Sequence, residues 1–147
     1  MKSFFLSAFL AITLFASASG TKEKNVASYR LSQNFQAEFG SIENVKWSGA
    51  MNNMTKADFV MDDEQICAYF DENGNYVAST KSMSFDELPK KLKVAIQDKL
   101  PGIKIETVFE MSSPTEKSWF IETSQNNERK IWKGNSFGTI TRYYVKP

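Results

Sequence analysis

Histidine is absent from this chain of 147 residues. Nucleophilic enzymes built on Ser-His-Asp or Cys-His groups need an imidazole base, so the sequence excludes them, together with zinc sites of the usual composition. Residues 134–138 match the Gly-x-Ser-x-Gly pattern of serine hydrolases. They fall between two predicted strands, whereas the motif requires a strand-to-helix turn, so we interpret the match as accidental. The sequence predicts a protein that is not an enzyme.

Cysteine is nearly absent, and Cys67 alone cannot form an internal disulfide. The fold must then be held together by packing. Cys67 lies in an apolar stretch, which favours a small buried hydrophobic residue, with a nucleophile or an intermolecular cross-link as the less common alternatives. Carboxylate catalysis stays open because acidic residues cluster at residues 62–64 and 71–72, although solvated turns are the commoner role of such clusters.

Neither sign of charge is in excess. Of the 18 Lys and Arg residues only Lys2 precedes residue 19, which leaves 17 basic and 17 acidic side chains in the remainder. A neutral chain lacks the electrostatic footprint of proteins that bind nucleic acid or membrane surfaces. We therefore expect neither partner, and no cofactor.

Apolar runs long enough to span a membrane are missing too. The run at residues 4–15 falls short of the roughly 20 residues that a spanning helix needs. It follows Lys2 and precedes Ala16-Ser17-Ala18, an arrangement typical of a cleaved signal peptide, with an uncleaved anchor as the alternative. We predict a signal peptide at residues 1–18, a mature chain beginning at Ser19, and a periplasmic or secreted protein without membrane attachment.

Two amphipathic helices are predicted from apolar stripes. Leu31, Phe35 and Phe39 recur at every fourth position, which indicates a helix over residues 26–39 that Gly40 ends. The second stripe has the same spacing and comprises Leu88, Leu92, Ile96 and Leu100. A capping box from Ser84 to Glu87 precedes it, and Pro89 is expected at the first helical position.

The remaining apolar stretches predict strands. Residues 56–81 contain three short runs cut by turns at residues 62–64 and 71–74, which indicates an antiparallel meander. Residues 103–111 alternate strictly, so Ile105 and Phe109 are predicted to share the face that packs on Leu92 and Ile96. Further strands are expected at residues 45–47, 119–124, 129–133 and 139–145.

The two halves repeat this order. Each has a helical stripe, a glycine-containing break and about four strands, which is too little to bury its own apolar face. We predict an α+β domain over residues 19–147, made of two tandem repeats (about residues 25–81 and 84–146). They share one antiparallel sheet with the helices on one face.

Aromatic side chains in the strands are the candidates for a binding site. They either fill the core and the sheet edges or form a patch on the sheet face that the helices leave open. For the second alternative we predict a protein or peptide partner, with Tyr69, Trp132 and Tyr143 as anchors on the open face. A carrier of a small hydrophobic or envelope-derived ligand between helices and sheet is the alternative function.

Several segments resemble a known family. Residues 44–47, 68–74 and 100–105 are similar to segments of the PepSY-like, beta-lactamase-inhibitor-like (BLIP-like) exported bacterial proteins. The resemblance implies tandem helix-plus-four-strand repeats that form one curved sheet. It does not carry over beta-lactamase inhibition, because the disulfides of beta-lactamase inhibitory protein are absent and residues 135–138 depart from the D-x-N-G turn.

Overall fold

The computed structural model describes residues 29–126 and 128–144. The predicted signal peptide and the first residues of the first predicted helix lie outside the described residues. Among the residues that are described, no helix is both long enough and apolar enough to cross a membrane.

The described residues form two α-helices and eight strands. The helices are α1 (Tyr29–Phe39) and α2 (Lys90–Lys99), and a short 3-10 helix (Phe85–Glu87) precedes α2. The strands are β1 (Lys46–Gly49), β2 (Thr55–Met61), β3 (Glu64–Phe70), β4 (Tyr76–Met83), β5 (Lys104–Ser112), β6 (Lys117–Gln125), β7 (Glu128–Gly134) and β8 (Ile140–Tyr143).

The first helix forms and ends as its stripe predicts. Leu31 and Phe35 are buried, and Phe39 packs beside them. Gly40 adopts a φ of 77°, a left-handed conformation that glycine enters without steric cost. Its N–H donates to the carbonyl of Gln36 at 2.9 Å, which closes the last turn.

The second helix begins one residue later than predicted. The capping box is present, since the Ser84 N–H donates to the Glu87 carboxylate at 2.6 Å, and it opens the 3-10 helix. Pro89 then stands immediately before α2, and its carbonyl accepts hydrogen bonds from the N–H groups of Leu92 and Lys93. A proline at this place removes no intrahelical hydrogen bond.

All eight strands form one antiparallel sheet in sequence order, from β1 at one edge to β8 at the other. The predicted meander is β2, β3 and β4. Asp62 and Asp63 join β2 to β3 with φ values of 53° and 62°. Two positive φ values in a two-residue loop match the right-handed twist of the flanking strands.

The turns that close the two repeats share one hydrogen-bond pattern. The Asp71 N–H donates to the carbonyl of Asn75 at 2.9 Å, and the Asn135 N–H donates to that of Thr139 at 3.1 Å. In each turn the first side chain also accepts hydrogen bonds from the backbone two and four residues later. Aspartate and asparagine supply the same acceptor here, so the turns correspond although their sequences differ.

Both turns rest on the helix of their own repeat. Gly74 and Gly138 have φ values of 78° and 88°, which side chains rarely adopt. A Cβ atom on Gly74 would lie 3.1 Å from the backbone nitrogen of Leu31, and one on Gly138 would lie 2.9 Å from the carbonyl oxygen of Lys91. Glycine therefore permits the close approach of turn to helix in both halves.

Both helices cover the same face of the sheet. Across the central strands Ile66 is paired with Lys81, Lys81 with Glu110, and Glu110 with Trp119, so these side chains share one face. Two apolar clusters lie on this helix-covered face. Under α1 the buried strand residues are Ala57, Phe59, Ile66, Ala68 and Phe70, and under α2 they are Val108, Trp119, Ile121 and Ile140. The predicted fold class, two helix-plus-four-strand repeats on one curved sheet, is confirmed.

The predicted phase of β5 is wrong beyond Ile105. Ile105 packs with the α2 cluster as expected, but Phe109 lies on the opposite face and packs against Phe120. The cause is a register shift between Ile105 and Thr107, where β5 carries an extra residue relative to β6. A bulge of this kind reverses the faces of all later residues in the strand.

Candidate binding face

The face of the sheet opposite the helices, here called the open face, carries its own apolar cluster. Its buried residues are Met54, Tyr69, Ala78, Met111 and Phe120. Partly buried residues packed against them are Ala50, Cys67, Val77, Phe109, Ile131 and Tyr143. On a flat sheet these side chains would stand in water. Because the sheet is curved, they cover one another.

Stacked rings form the centre of this cluster. Phe109 and Phe120 are directly opposed across β5 and β6, with ring centroids 5.1 Å apart and an interplanar angle of 7°. Tyr143 meets the other side of Phe120 edge-on at 5.2 Å. Phe120 is fully buried, whereas Phe109 and Tyr143 keep part of their surface exposed, as does Ile131. The open face therefore offers a strip of aromatic and aliphatic surface on β5, β7 and β8.

Sequence reasoning missed Phe109 and Ile131 as members of this strip. Phe109 was assigned to the other face because the alternation of β5 gives no sign of the bulge. Ile131 pairs with Tyr143 across β7 and β8, so the position of one fixes that of the other. The short run from Arg129 to Lys133 contains too few apolar residues to fix this register from sequence alone.

Tyr69 lies on the open face, as predicted, but its predicted exposure is wrong. Its side chain is 0% exposed and packs with Met54, Ala78 and Phe120. Burial raises the pKa of its hydroxyl above the ordinary tyrosine value, and a hydrogen bond with Thr80 partly offsets this rise. Tyr69 thus supports the strip from below and presents no ring surface to a partner.

Trp132 lies on the helix-covered face, so its predicted place on the open face is corrected. It is paired with Ile121 across β6 and β7, and both belong to the cluster under α2. Its indole N–H donates to the Thr123 hydroxyl at 3.0 Å. Of the three predicted anchors, the structure brings Tyr69 and Tyr143 onto one face and places Trp132 on the other.

Cys67 also belongs to the open face, where it is partly buried between Asp58 and Thr80 on the neighbouring strands. Burial and a hydrogen bond with Asp58 raise the pKa of its thiol to about 12. The thiol stays protonated near neutral pH, and a protonated thiol is a poor nucleophile. This environment favours the packing role over the catalytic alternative.

Ion pairs border the apolar strip. Glu122 is buried on the open face and accepts hydrogen bonds from the Thr107 hydroxyl at 2.7 Å and the Arg129 guanidinium at 3.1 Å. On the next strand Lys133 pairs with Glu116 at 2.7 Å. The acidic groups are thereby neutralised within the protein, and the basic partners stand at the margin of the strip.

The acidic turns have structural partners. Both carboxylate oxygens of Asp71 accept hydrogen bonds within their own turn, from Asn73 and Asn75. Among the described residues no group of three metal-ligating side chains converges on one point. The Asp71 carboxylate therefore stabilises the turn that connects β3 to β4.

Comparison with known proteins gives a fold class. No protein-family model matches the chain, and no curated protein matches it. Solved structures do match. A BLIP-like protein from Bacteroides fragilis NCTC 9343 has a TM-score of 0.73 at 15% identity, over 80% of this chain and 86% of that one. A DUF2874 family protein from Bacteroides ovatus ATCC 8483 has a TM-score of 0.71 at 16% identity, over 80% and 89%.

A third structure, from Bacteroides eggerthii DSM 20697, belongs to a protein provisionally described as periplasmic. Its TM-score is 0.68 at 15% identity, over 80% of this chain and 89% of that one. At such identities the likeness establishes the fold alone. The chain thus has a BLIP-like fold, which confirms that part of the resemblance, and the PepSY-like part stays a prediction.

Proposed function

We propose that this chain is an exported, non-enzymatic binding module that engages a protein or peptide partner through its open face. One observation carries the proposal. Phe109, Ile131 and Tyr143 form a partly exposed apolar strip on the face that α1 and α2 leave uncovered. Rigid aromatic side chains at the centre of a surface, with charged groups around them, are typical of protein interfaces.

The rigidity of the strip supports a binding role. Phe120 is held between two rings and Tyr69 is packed beneath the cluster, so the exposed members lose little conformational freedom when a partner binds. A preorganised surface reduces the entropy cost of association. The bordering pairs at Arg129 and Lys133 supply the polar margin that fixes orientation.

Export is supported by two separate observations. Residues 1–18 have the sequence of a cleaved signal peptide. A structural neighbour is provisionally described as periplasmic, and we extend that location to this chain as part of the proposal. The protonated Cys67 thiol supports a module that carries out no covalent chemistry.

A cavity favours the ligand-carrier function as a second candidate. It has a volume of about 270 Å³ and opens on the helix-covered face, with Phe39, Met61 and Ile66 among its apolar lining and Lys81 and Glu110 among its polar lining. A small molecule with an apolar body and one polar group would suit it. Pockets for such ligands usually measure about 300–1,000 Å³. This cavity lies slightly below that range, so the carrier function ranks below binding by the open face.

Capture from envelope extract tests the proposal with a matched pair of variants. The test variant combines Phe109→Ala with Tyr143→Ala, and the control combines Tyr29→Ala with Phe137→Ala. Tyr29 and Phe137 are aromatic residues that are 79% and 80% exposed and do not belong to the cluster of the open face. We expect the test variant to lose capture of the partner by about thirtyfold or more, because even one central aromatic contributes about 2 kcal/mol.

The control variant should capture the partner as the unaltered protein does, and circular dichroism should be the same for all three proteins. Equal capture by two folded variants would place the partner elsewhere on the molecule. Loss of capture only in the control would refute the open face as the binding surface.

A further inference from the structure

Strand β2 is longer than its neighbour β1 at the edge of the sheet. The four residues of β1 pair with β2 only as far as Asp58. Phe59, Val60 and Met61 continue β2 and pair with β3 on their inner side alone. These three residues, here called the overhang, leave about 10 Å of strand edge beyond the end of β1.

The overhang presents backbone groups that have no partner among the described residues. Along a strand the N–H and C=O groups of successive residues point alternately to either side, and in β2 the even-numbered residues direct theirs toward β1, as the bond from the Ala50 N–H to the Met54 carbonyl shows. In the overhang, Val60 therefore directs its N–H and C=O groups away from β3. Within the described residues, no loop backbone and no side chain forms a hydrogen bond to Phe59, Val60 or Met61. Natural sheet edges are usually protected by lysine, proline or a bulge. The overhang contains none of these, and Val60 is 58% exposed.

A cavity occupies the place where β1 would continue. Its volume is about 480 Å³, and it is bounded by residues 41–44 of the loop that follows α1 and by Asp58, Phe59 and Val60 of β2. The side-chain lining includes Ile42 and Phe59 as well as polar groups. The space beside the overhang is therefore a groove between the α1–β1 loop and the strand edge.

The charge around this groove is negative. Glu43 lines it, and Asp62 and Asp63 are exposed at the turn where the overhang ends. No salt bridge within the described part of the chain involves these three carboxylates, whereas Asp58 is neutralised by Lys56 at 2.8 Å. Among the described residues, Lys46 is the one cation that lines the groove. This surplus of negative charge favours a ligand with basic side chains.

We propose that the overhang is a strand-addition site for an extended basic peptide, which continues the row of β1 and pairs with the outer edge of β2. Backbone hydrogen bonds supply the affinity in this mode of recognition, and side-chain pockets and charges supply the selectivity. The site is separate from the aromatic strip of the open face, so either can fail in experiment while the other stands.

The test uses the mature protein and a fluorescent peptide of sequence Lys-Thr-Val-Thr-Val-Lys with both ends blocked. Fluorescence anisotropy measures binding, and hydrogen exchange measures protection of individual amides. We expect slower exchange at the outward amide of Val60 when peptide is added, with no change at β8. Binding without protection there, or no saturable binding, would overturn the proposal.

Two N-methylated peptides examine the backbone contacts without altering the protein. In each peptide the backbone nitrogen of every second residue is methylated, and the two peptides differ in which alternate set carries the methyl groups. A strand bound along one edge uses only one set of N–H groups, so one peptide should bind about tenfold more weakly or worse while the other keeps its affinity. Equal affinities of the two peptides would exclude strand addition.

Charge and self-association are tested in parallel. Asp62→Asn with Asp63→Asn keeps residues that tolerate positive φ and should weaken binding of the basic peptide about tenfold at low salt. The control, Glu72→Gln with Asp98→Asn, should not. Unchanged binding by the first variant would overturn the choice of a basic peptide.

Self-association is tested without peptide. Protection of the Val60 amide that increases with protein concentration, together with dimers in sedimentation, would identify a second copy of the chain as the ligand instead.

Discussion

Asp71 shows how one side chain stabilises a repeat. It accepts hydrogen bonds from the backbone of Asn73 and Asn75 and from the Asn75 side chain. Burial tends to raise the pKa of its carboxyl, but these bonds and the nearby Arg30 outweigh it and lower the pKa from the ordinary value of 3.8. A carboxyl whose folded-state pKa is lowered stabilises the fold above its ordinary pKa, and this contribution disappears as the pH falls through the folded value.

We therefore predict that Asp71→Ala lowers the free energy of unfolding by about 1 kcal/mol near neutral pH, because the turn loses its acceptor while the site stays partly solvated. The difference from the unaltered protein should shrink as the pH falls below about 3.8, where the carboxyl becomes protonated. Urea unfolding at a series of pH values measures both effects.

Asn135 provides the matched control, since its side-chain oxygen accepts hydrogen bonds from Phe137 and Thr139 in the equivalent turn. Asn135→Ala should cost about the same amount, and the cost should not change with pH because an amide does not titrate in this range. A pH-independent effect of Asp71→Ala would show that its charge contributes nothing to the turn.

For Tyr69 on the open face, the sequence predicts the face of the sheet but not the degree of burial. Tyr69 was placed on the correct face because Ile66, Ala68 and Phe70 define a clean alternation. Its burial could not be predicted, since it depends on the curvature that brings Met54 and Phe120 over the ring. Truncation of Tyr69 would remove packing contacts in the open-face cluster and destabilise the fold, so the binding variants keep this residue.

At the scale of elements, α2 is the clearest case of a prediction confirmed. Its stripe places Leu92 and Ile96 on the sheet, where both are buried. Ile96→Ala should lower the free energy of unfolding by about 2–5 kcal/mol, because the truncation leaves a cavity in the α2 cluster. Chemical denaturation followed by circular dichroism measures the change.

Val94 is the control on the same helix, with 49% of its side chain exposed. Val94→Ala should change the free energy of unfolding by no more than about 0.5 kcal/mol. Comparable losses in the two variants would mean that the register of α2 on the sheet differs from the one described.

Strand β5 shows why some elements resist prediction. Its alternation extends over the whole run from Ile103 to Met111, and the bulge between Ile105 and Thr107 leaves no mark in that pattern. A bulge is set by pairing with β6, which is a long-range property of the sheet. Helices, hairpin turns and strand order were accessible from local patterns, whereas the face of Phe109 and that of Trp132 were not.

In the whole molecule, the two repeats together bury apolar surface that one repeat has too few elements to cover. Each helix covers the strands of its own half, and β4 pairs with β5 to make the sheet continuous. Curvature of that sheet then buries a second cluster on the open face. The architecture followed from the internal repeat, but the second cluster required knowledge of the curvature and of the bulge in β5.

Site-specific photo-cross-linking can show whether the open face is the binding surface. A benzoylphenylalanine replaces Tyr143, which keeps an aromatic ring at this position of the strip, and in a separate protein it replaces the exposed Tyr29 on α1. After irradiation with envelope extract, mass spectrometry identifies any cross-linked species. If the open face binds the partner, one protein should be captured from position 143 and not from position 29. Capture from position 29 alone would contradict binding by the open face.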